Sequence, residues 1–235
     1  MNLFLFFFNW VYANINYSQW RTFKMNNKIN YFYNIKKDAE NKKILYRIGY
    51  KSGITKMSVD EEKRINLYIK KSKSLCFIKC AYKKIKIKII KDKIYIENRS
   101  VIKSKNLSKL LFNSAEIIFM ASTVGEDIIK ERDKQIKKGD PVYGIILDAT
   151  ASETADAGLD WMQDLLNSQL ARQGQKLTVR YSPGYGDLGL PVQKVVHKIL
   201  DLKKIGIGIT KKYLLVPEKS VIAIAGIINK IGKLK

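Results

Sequence analysis

The stretch Arg180-Tyr181-Ser182-Pro183-Gly184-Tyr185-Gly186-Asp187 decides how this chain is read. It gathers one fixed cation, a proline, two glycines and two tyrosines. Pro183 presets its own φ, and Gly184 and Gly186 tolerate φ > 0, so a tight turn is expected. Such a turn presents peptide N–H and C=O groups to a small ligand. Arg180 offers a planar fork of donors suited to a carboxylate or phosphate. Tyr181 and Tyr185 offer ring faces with polar tips. The plainer alternative is a strand-ending turn whose arginine pairs with a local acid.

Upstream of the turn, Leu177-Thr178-Val179 reads as the strand that delivers Arg180. Before it comes the longest helix, expected over about 141–173. Asp140 is its N-cap, Pro141 its first residue and Gly174 its stop. Val142, Ile145, Ile146, Ala149, Ala155, Leu159, Met162, Leu166 and Leu170 form its expected apolar stripe. Asp148 and Asp156 project to similar sides near that stripe. They are either border acids facing solvent or a carboxylate aimed at a cationic ligand. Downstream, Pro191 opens a helix expected over 191–204, with His197 on it as a packing or surface residue. Ile207, Ile209 and the runs 213–216 and 221–224 supply further strands around Pro217-Glu218-Lys219-Ser220.

Further upstream, Ala115 to Ala121 reads as a buried strand ending at Ser122-Thr123-Val124-Gly125. A charged helix follows, from Glu126 to about Lys138, and 106–113 suggest a short helix. Ile85, Ile87 and Ile89 alternate with Lys84, Lys86 and Lys88, the period of a half-buried strand, and 93–97 reads as its hairpin partner. Ser58 and Glu61 have capping-box spacing for a helix that ends near Ser74. Tyr31 to Tyr33 suggests a short strand, and 44–50 a helical or extended piece ending at Gly49 or Gly53. Residues 1–24 read as an N-terminal extension foreign to the rest, with Met25 as the natural start; a membrane anchor is the alternative. Their apolar run, Leu3 to Phe8, is too short to span a bilayer.

The 235 residues are enough for one large domain with a sizeable core. The formal charge is +23, of which residues 1–100 carry +16 and the remainder +7. A basic half invites a nucleic-acid or acidic-partner reading. No RNA-binding, zinc-finger or helix-turn-helix pattern accompanies it, and the same region is rich in Ile, Asn, Tyr and Phe, the residues of A/T-rich codons. Nucleic acid and membrane are therefore not expected partners. Cys76 and Cys80 lack the third cysteine of a radical-type iron–sulfur motif, because Lys83 stands there. A zinc site needs four ligands, which two cysteines and one histidine do not supply. The cysteines read as small buried strand residues.

The Arg180 to Asp187 stretch, Asp148-Ala149-Thr150-Ala151-Ser152 on the long helix, and Leu215-Val216-Pro217-Glu218-Lys219-Ser220 together resemble the activation domain of vitamin B12-dependent methionine synthase, in its stand-alone form. The likeness is strong over about 115–227, looser over 44–114 and absent in 1–24. It implies a single α+β domain over 25–235, a mainly antiparallel twisted sheet packed with helices, the long helix against one face.

The resemblance further implies binding of S-adenosylmethionine and closure over a partner's cobalamin, so that cob(II)alamin is reductively methylated to methylcobalamin. Arg180 would hold the methionine carboxylate. The backbone of Ser182, Gly184 and Tyr185 would meet the adenosine part, and Asp156 would face the ammonium or sulfonium. The domain would supply proximity and orientation, so no residue is expected to act as catalytic acid or base. The chain lacks the D-x-H-x-x-G signature of a cobalamin-binding module, since Lys198-Ile199 follow His197. Cobalamin would therefore arrive on a partner: a cobalamin-binding methionine synthase or corrinoid protein, with a flavodoxin-like or ferredoxin-like electron donor, in the cytoplasm. A non-catalytic docking module that gates a corrinoid protein is the alternative.

Overall fold

A computed structural model describes residues 27–97 and 100–230; the expectation for 1–24 lies outside the described residues. The strands are β1 (Asn30–Ile35), β2 (Ile78–Ile90), β3 (Lys93–Ile96), β4 (Ser100–Lys103), β5 (Glu116–Thr123), β6 (Gln175–Leu177), β7 (Gly208–Ile209), β8 (Leu215–Val216) and β9 (Ser220–Asn229). A seven-stranded antiparallel sheet runs β4-β3-β2-β5-β9-β6, and β1 also pairs with β2. β7 and β8 form a small separate ladder.

The strand period of two sorts β2 and its neighbours onto two cores. Cys80 and Tyr82, with Ile118 and Met120 of β5 and Ala223 and Ala225 of β9, face the long helix. Ala81, Ile85, Ile117, Phe119, Ala121, Ile222 and Ile224 face a second core. Beyond Tyr82 the first face turns to lysine. Lys84 pairs with Glu116 at 3.1 Å, while Lys86 and Lys88 are exposed. Ile87 and Ile89 stand opposite Ile96 and Ile94 of β3, so the expected amphipathic hairpin is present.

The helices are α1 (Asn41–Arg47), α2 (Val59–Lys73), α3 (Lys105–Leu110), α4 (Asp127–Lys137), α5 (Pro141–Ala171) and α6 (Val192–Ile199). α2 starts with the expected capping box: the Glu61 N–H donates to Ser58 Oγ, and the Ser58 N–H donates to Glu61 Oε2 at 2.8 Å. α5 starts with Pro141, and the Asp140 carboxylate accepts the Tyr143 N–H at 3.0 Å. Gly158 permits a close approach to the sheet, since a Cβ there would run into Ser122 Oγ and Ile78 Cγ2.

The structure corrects several expectations. Cys76 is half-buried in the connection before β2 and not in a strand, and the strand expected over 177–179 lies at Gln175–Leu177. Val142 and Ile145 are exposed, because α2 and α4 cover the neighbouring faces of the first turns of α5 and leave these two outward. The helix expected over 191–204 breaks after α6. Asp201 takes φ 44, a left-handed conformation that α-helix does not accept, and a 3-10 turn follows over Leu202–Ile205. Asp148 and Asp156 also part company. Eight residues turn a helix about 80° past two full turns, and the two carboxylates enter separate clusters.

His197 is buried with Nε2 at 2.8 Å from the Ile207 carbonyl oxygen, a packing role. Cys80 is buried and its thiol donates to the Gly158 carbonyl at 3.6 Å. Burial pushes both cysteine thiols up to about 12, so neither offers a thiolate near neutrality. The architecture is α+β: a curled antiparallel sheet packed with helices, with α5 lying on one face.

Candidate functional site

The segment from β6 to Tyr181 runs along the outer edge of β9. The Tyr181 N–H donates to the Ile224 carbonyl at 2.9 Å, and the Ile224 N–H returns the bond at 2.9 Å. The chain then leaves the sheet through the expected turn, with Gly184 at φ 97 and Gly186 at φ 53. Gly186 also allows a close approach, since a Cβ there would strike the Tyr181 hydroxyl and meet Asn106 Nδ2 at 3.0 Å. Pro183 is buried beneath the turn, and Tyr185 is 69% exposed.

The turn spends two of its donors on itself. The Gly184 N–H bonds to the Leu188 carbonyl at 2.7 Å and the Tyr185 N–H to the Ser182 carbonyl at 3.3 Å. Those two amides are therefore already engaged, while the ring of Tyr185 stays open. Asp187 anchors the far end. Its carboxylate accepts from Ser104 Oγ at 2.6 Å and from the Lys105 N–H at 2.5 Å, and these bonds hold it below the usual carboxylate range.

Arg180 points the other way, onto α5. Its Nη2 donates to Asp160 Oδ1 at 2.6 Å, while Nη1 is buried with no protein hydrogen-bond partner. Asp160 belongs to a row of acids, Glu153, Asp156, Asp160 and Asp164, spaced three, four and four apart. That spacing keeps all four on one face of α5. Cations from α1 and its approach meet the row. Arg47 Nε lies 2.5 Å from Glu153 Oε1, its Nη2 lies 4.0 Å from Asp156, and Lys43 Nζ lies 3.7 Å from Asp160.

A cavity of about 840 Å³ opens between this row and the segment joining β1 to α1. Lys36, Lys37 and Lys43 line one wall; Asp156, Asp160 and Asp164 line the other, with Trp161 among them. Burial pushes the Asp156 carboxyl above its ordinary value, and the neighbouring Glu153 adds to the rise against the pull of Arg180 and Arg47. Asp164 is raised for the same first reason, burial. Carboxylates left under-compensated beside a cavity are candidates for a cationic ligand group.

The structure thus brings two of the expected residues, Arg180 and Asp156, to one acid row. Ser182, Gly184 and Tyr185 sit on the turn beyond, and no hydrogen bond or ion pair joins them to Asp156. Sequence reasoning missed Asp160, Glu153, Arg47 and Lys43. The helical spacing of the acids was a legible signal; the cations come from a region about a hundred residues away and gave none.

Asp148 lies in a different setting. Arg132 Nη1 reaches it at 2.8 Å and Lys219 Nζ at 2.8 Å, and Arg132 also bonds Glu218. Burial alone would raise this carboxyl, but the bonds from Lys219 and Arg132 outweigh it and hold it low. The 215–220 segment therefore serves to tie the β8–β9 connection to α5. Among the described residues, no group of His, Cys, Asp and Glu is arranged to hold a metal, and no helix is long and apolar enough to cross a membrane.

No family model matches the chain, and no curated protein matches it. Among solved structures it is similar to the crystal structure of the MetH reactivation domain bound to AdoHcy. The TM-score is 0.62 and the identity 14%, covering 91% of this chain and 86% of that one. At that identity the likeness is one of fold: this chain has the α+β fold of the MetH reactivation domain.

Proposed function

We propose that the chain is an S-adenosylmethionine-binding reactivation subunit, residues 25–235 acting as one unit. It would support reductive methylation of cob(II)alamin to methylcobalamin on a partner cobalamin-dependent methionine synthase. The observation that carries the reading is Arg180, whose guanidinium stands at the acid row with Nη1 buried and without a protein partner. A ligand carboxylate would satisfy that nitrogen. Asp156, raised by burial, would gain from an ammonium or sulfonium, and the exposed ring of Tyr185 offers a stacking face to adenine. The fold shared with a reactivation domain that holds AdoHcy supports the same ligand class.

The residues fit binding and orientation. No residue is assigned proton transfer. S-adenosylmethionine supplies the methyl group; the chain would hold its amino-acid end on Arg180 and Asp156 and direct the sulfonium outward to the partner's corrinoid. An electron donor of flavodoxin or ferredoxin type would complete the reduction, in the cytoplasm.

The Arg180–Asp160 ion pair favours a second reading, because it already occupies one edge of the guanidinium. In that reading the chain is a docking module that gates a corrinoid protein without turning the ligand over.

Calorimetric titration of S-adenosylmethionine into the full chain tests the first reading. Saturable binding is expected, weakened at least tenfold in Arg180→Ala and only partly restored in Arg180→Lys, which keeps charge but loses the fork. A folded wild-type chain that releases no heat, or an Arg180→Ala variant that binds as well as wild type, overturns it.

A further inference from the structure

On the face of the sheet away from α5 lies a second cavity, of about 720 Å³, that the reading above does not use. It is lined by Ile89 at the end of β2, by Lys91 and Asp92 in the β2–β3 turn, and by Lys105, Ser108, Lys109, Phe112 and Ser114 on and after α3. We propose that this cavity is a binding site for a phosphorylated small molecule that carries a flat aromatic ring, of mononucleotide size.

Charge is the first reason. Three ammonium groups line the cavity against one carboxylate. Asp92 is already engaged, 3.8 Å from Lys103 Nζ, whereas Lys91, Lys105 and Lys109 make no ion pair among the described residues. Lys105 and Lys109 are one helical turn apart and so share a face of α3. Three unpaired cations around one concavity repel each other until an anion joins them. The charge must come from the lysines rather than from the α3 N-terminus, because Asp187 already caps that end.

Phe112 is the second reason. Its side chain is 79% exposed, the highest value among the large apolar residues described, and it lines the cavity. A phenyl ring held in water beside unpaired lysines offers a stacking face next to an anion subsite. Ile89 adds apolar floor. Ser108 is the third reason. It is 5% exposed, its hydroxyl has no protein hydrogen-bond partner, and it lines the same cavity. A phosphate oxygen would supply the acceptor that this hydroxyl lacks.

The chemistry excludes several other occupants. A zwitterion would leave the lysines in excess, and a cation would be repelled. A neutral ring alone would not answer three charges. The site is separate from Arg180, so it holds or falls independently of the S-adenosylmethionine reading.

The test is titration of AMP into the full chain, with inorganic phosphate and adenosine as separate arms, in low and moderate salt. AMP is expected to bind at least tenfold more tightly than either fragment, and more weakly as salt rises. Lys105→Gln with Lys109→Gln should weaken AMP at least tenfold, and Phe112→Ala several-fold. Arg180→Ala should leave AMP binding unchanged, which separates this cavity from the other site. Because these side chains are exposed, the variants should fold; circular dichroism confirms it, and Phe112→Tyr should retain binding. Three outcomes overturn the proposal: AMP no tighter than phosphate, AMP unaffected by the double lysine variant, or AMP lost in Arg180→Ala.

Discussion

Helix α5 carries two charge clusters, and they are built on opposite terms. At Asp148, the two cations that reach the carboxylate, Arg132 and Lys219, are each 16% exposed, and their hydrogen bonds hold it below the usual range. Two turns further on, Asp156 accepts no hydrogen bond from a cation: Arg47 stands 4.0 Å away, Arg180 acts on it only through space, and burial leaves its carboxyl raised. The first cluster is satisfied by protein; the second is left short beside a cavity and a half-paired arginine. The same residue type on the same helix is thus structural in one place and available to a ligand in the other. The distance of the fixed cations, hydrogen-bonded in one place and not in the other, makes the difference.

The widest way to break the comparison is to move the helix itself. Gly158→Val inserts branches against Ser122 and Ile78, and should destabilise the protein by about 3 kcal/mol in urea unfolding while weakening both clusters. Arg132→Ala strikes one cluster alone. It leaves Asp148 and Glu218 to share Lys219, and should cost about 1–2 kcal/mol, solvent screening of the partly exposed Asp148 keeping the loss modest. S-adenosylmethionine affinity should not change. An equal loss of affinity would mean the clusters are coupled.

The finest test is Asp156→Asn. Stability near neutral pH should stay within about 0.5 kcal/mol of the parent, while S-adenosylmethionine binding should fall several-fold. Acid titration separates the two aspartates by sign. Asp148, with a lowered folded value, contributes stability above the ordinary carboxylate value near about 4, lost as pH falls through the lowered value. Asp156, with a raised folded value, binds its proton more tightly when folded, so its contribution falls as pH rises from the ordinary to the raised value. Urea unfolding across that range should show the second slope in the parent and a shallower one in Asp156→Asn, where Asp164, also raised by burial, still contributes. A slope unchanged in the variant would assign it to Asp164 alone.

Local chemistry accounts for what was legible. The Ser58–Glu61 box, the Asp140–Pro141 start, the Ile/Lys alternation of β2 and the glycine turn after Arg180 all declare themselves within a few residues. Each is fixed by backbone preference or by hydrogen bonds to near neighbours, which sequence records directly. The break at Asp201 was not legible, because nothing in 191–204 demands a left-handed residue; packing of Leu200, Leu202 and Ile205 into the second core accompanies it.

What the sequence by itself determined is most of the elements, their amphipathic faces and the presence of Arg180 on a turn. Only the tertiary structure decided which acid that arginine meets, and that Asp148 is neutralised while Asp156 is not. It also decided that two amides of the turn bond inward. The reason is that local preferences act over one or two turns of chain. Electrostatic satisfaction depends on side chains such as Arg47 and Lys219, delivered from elements some seventy to a hundred residues away, whose approach is set by how α1 and β9 pack around α5.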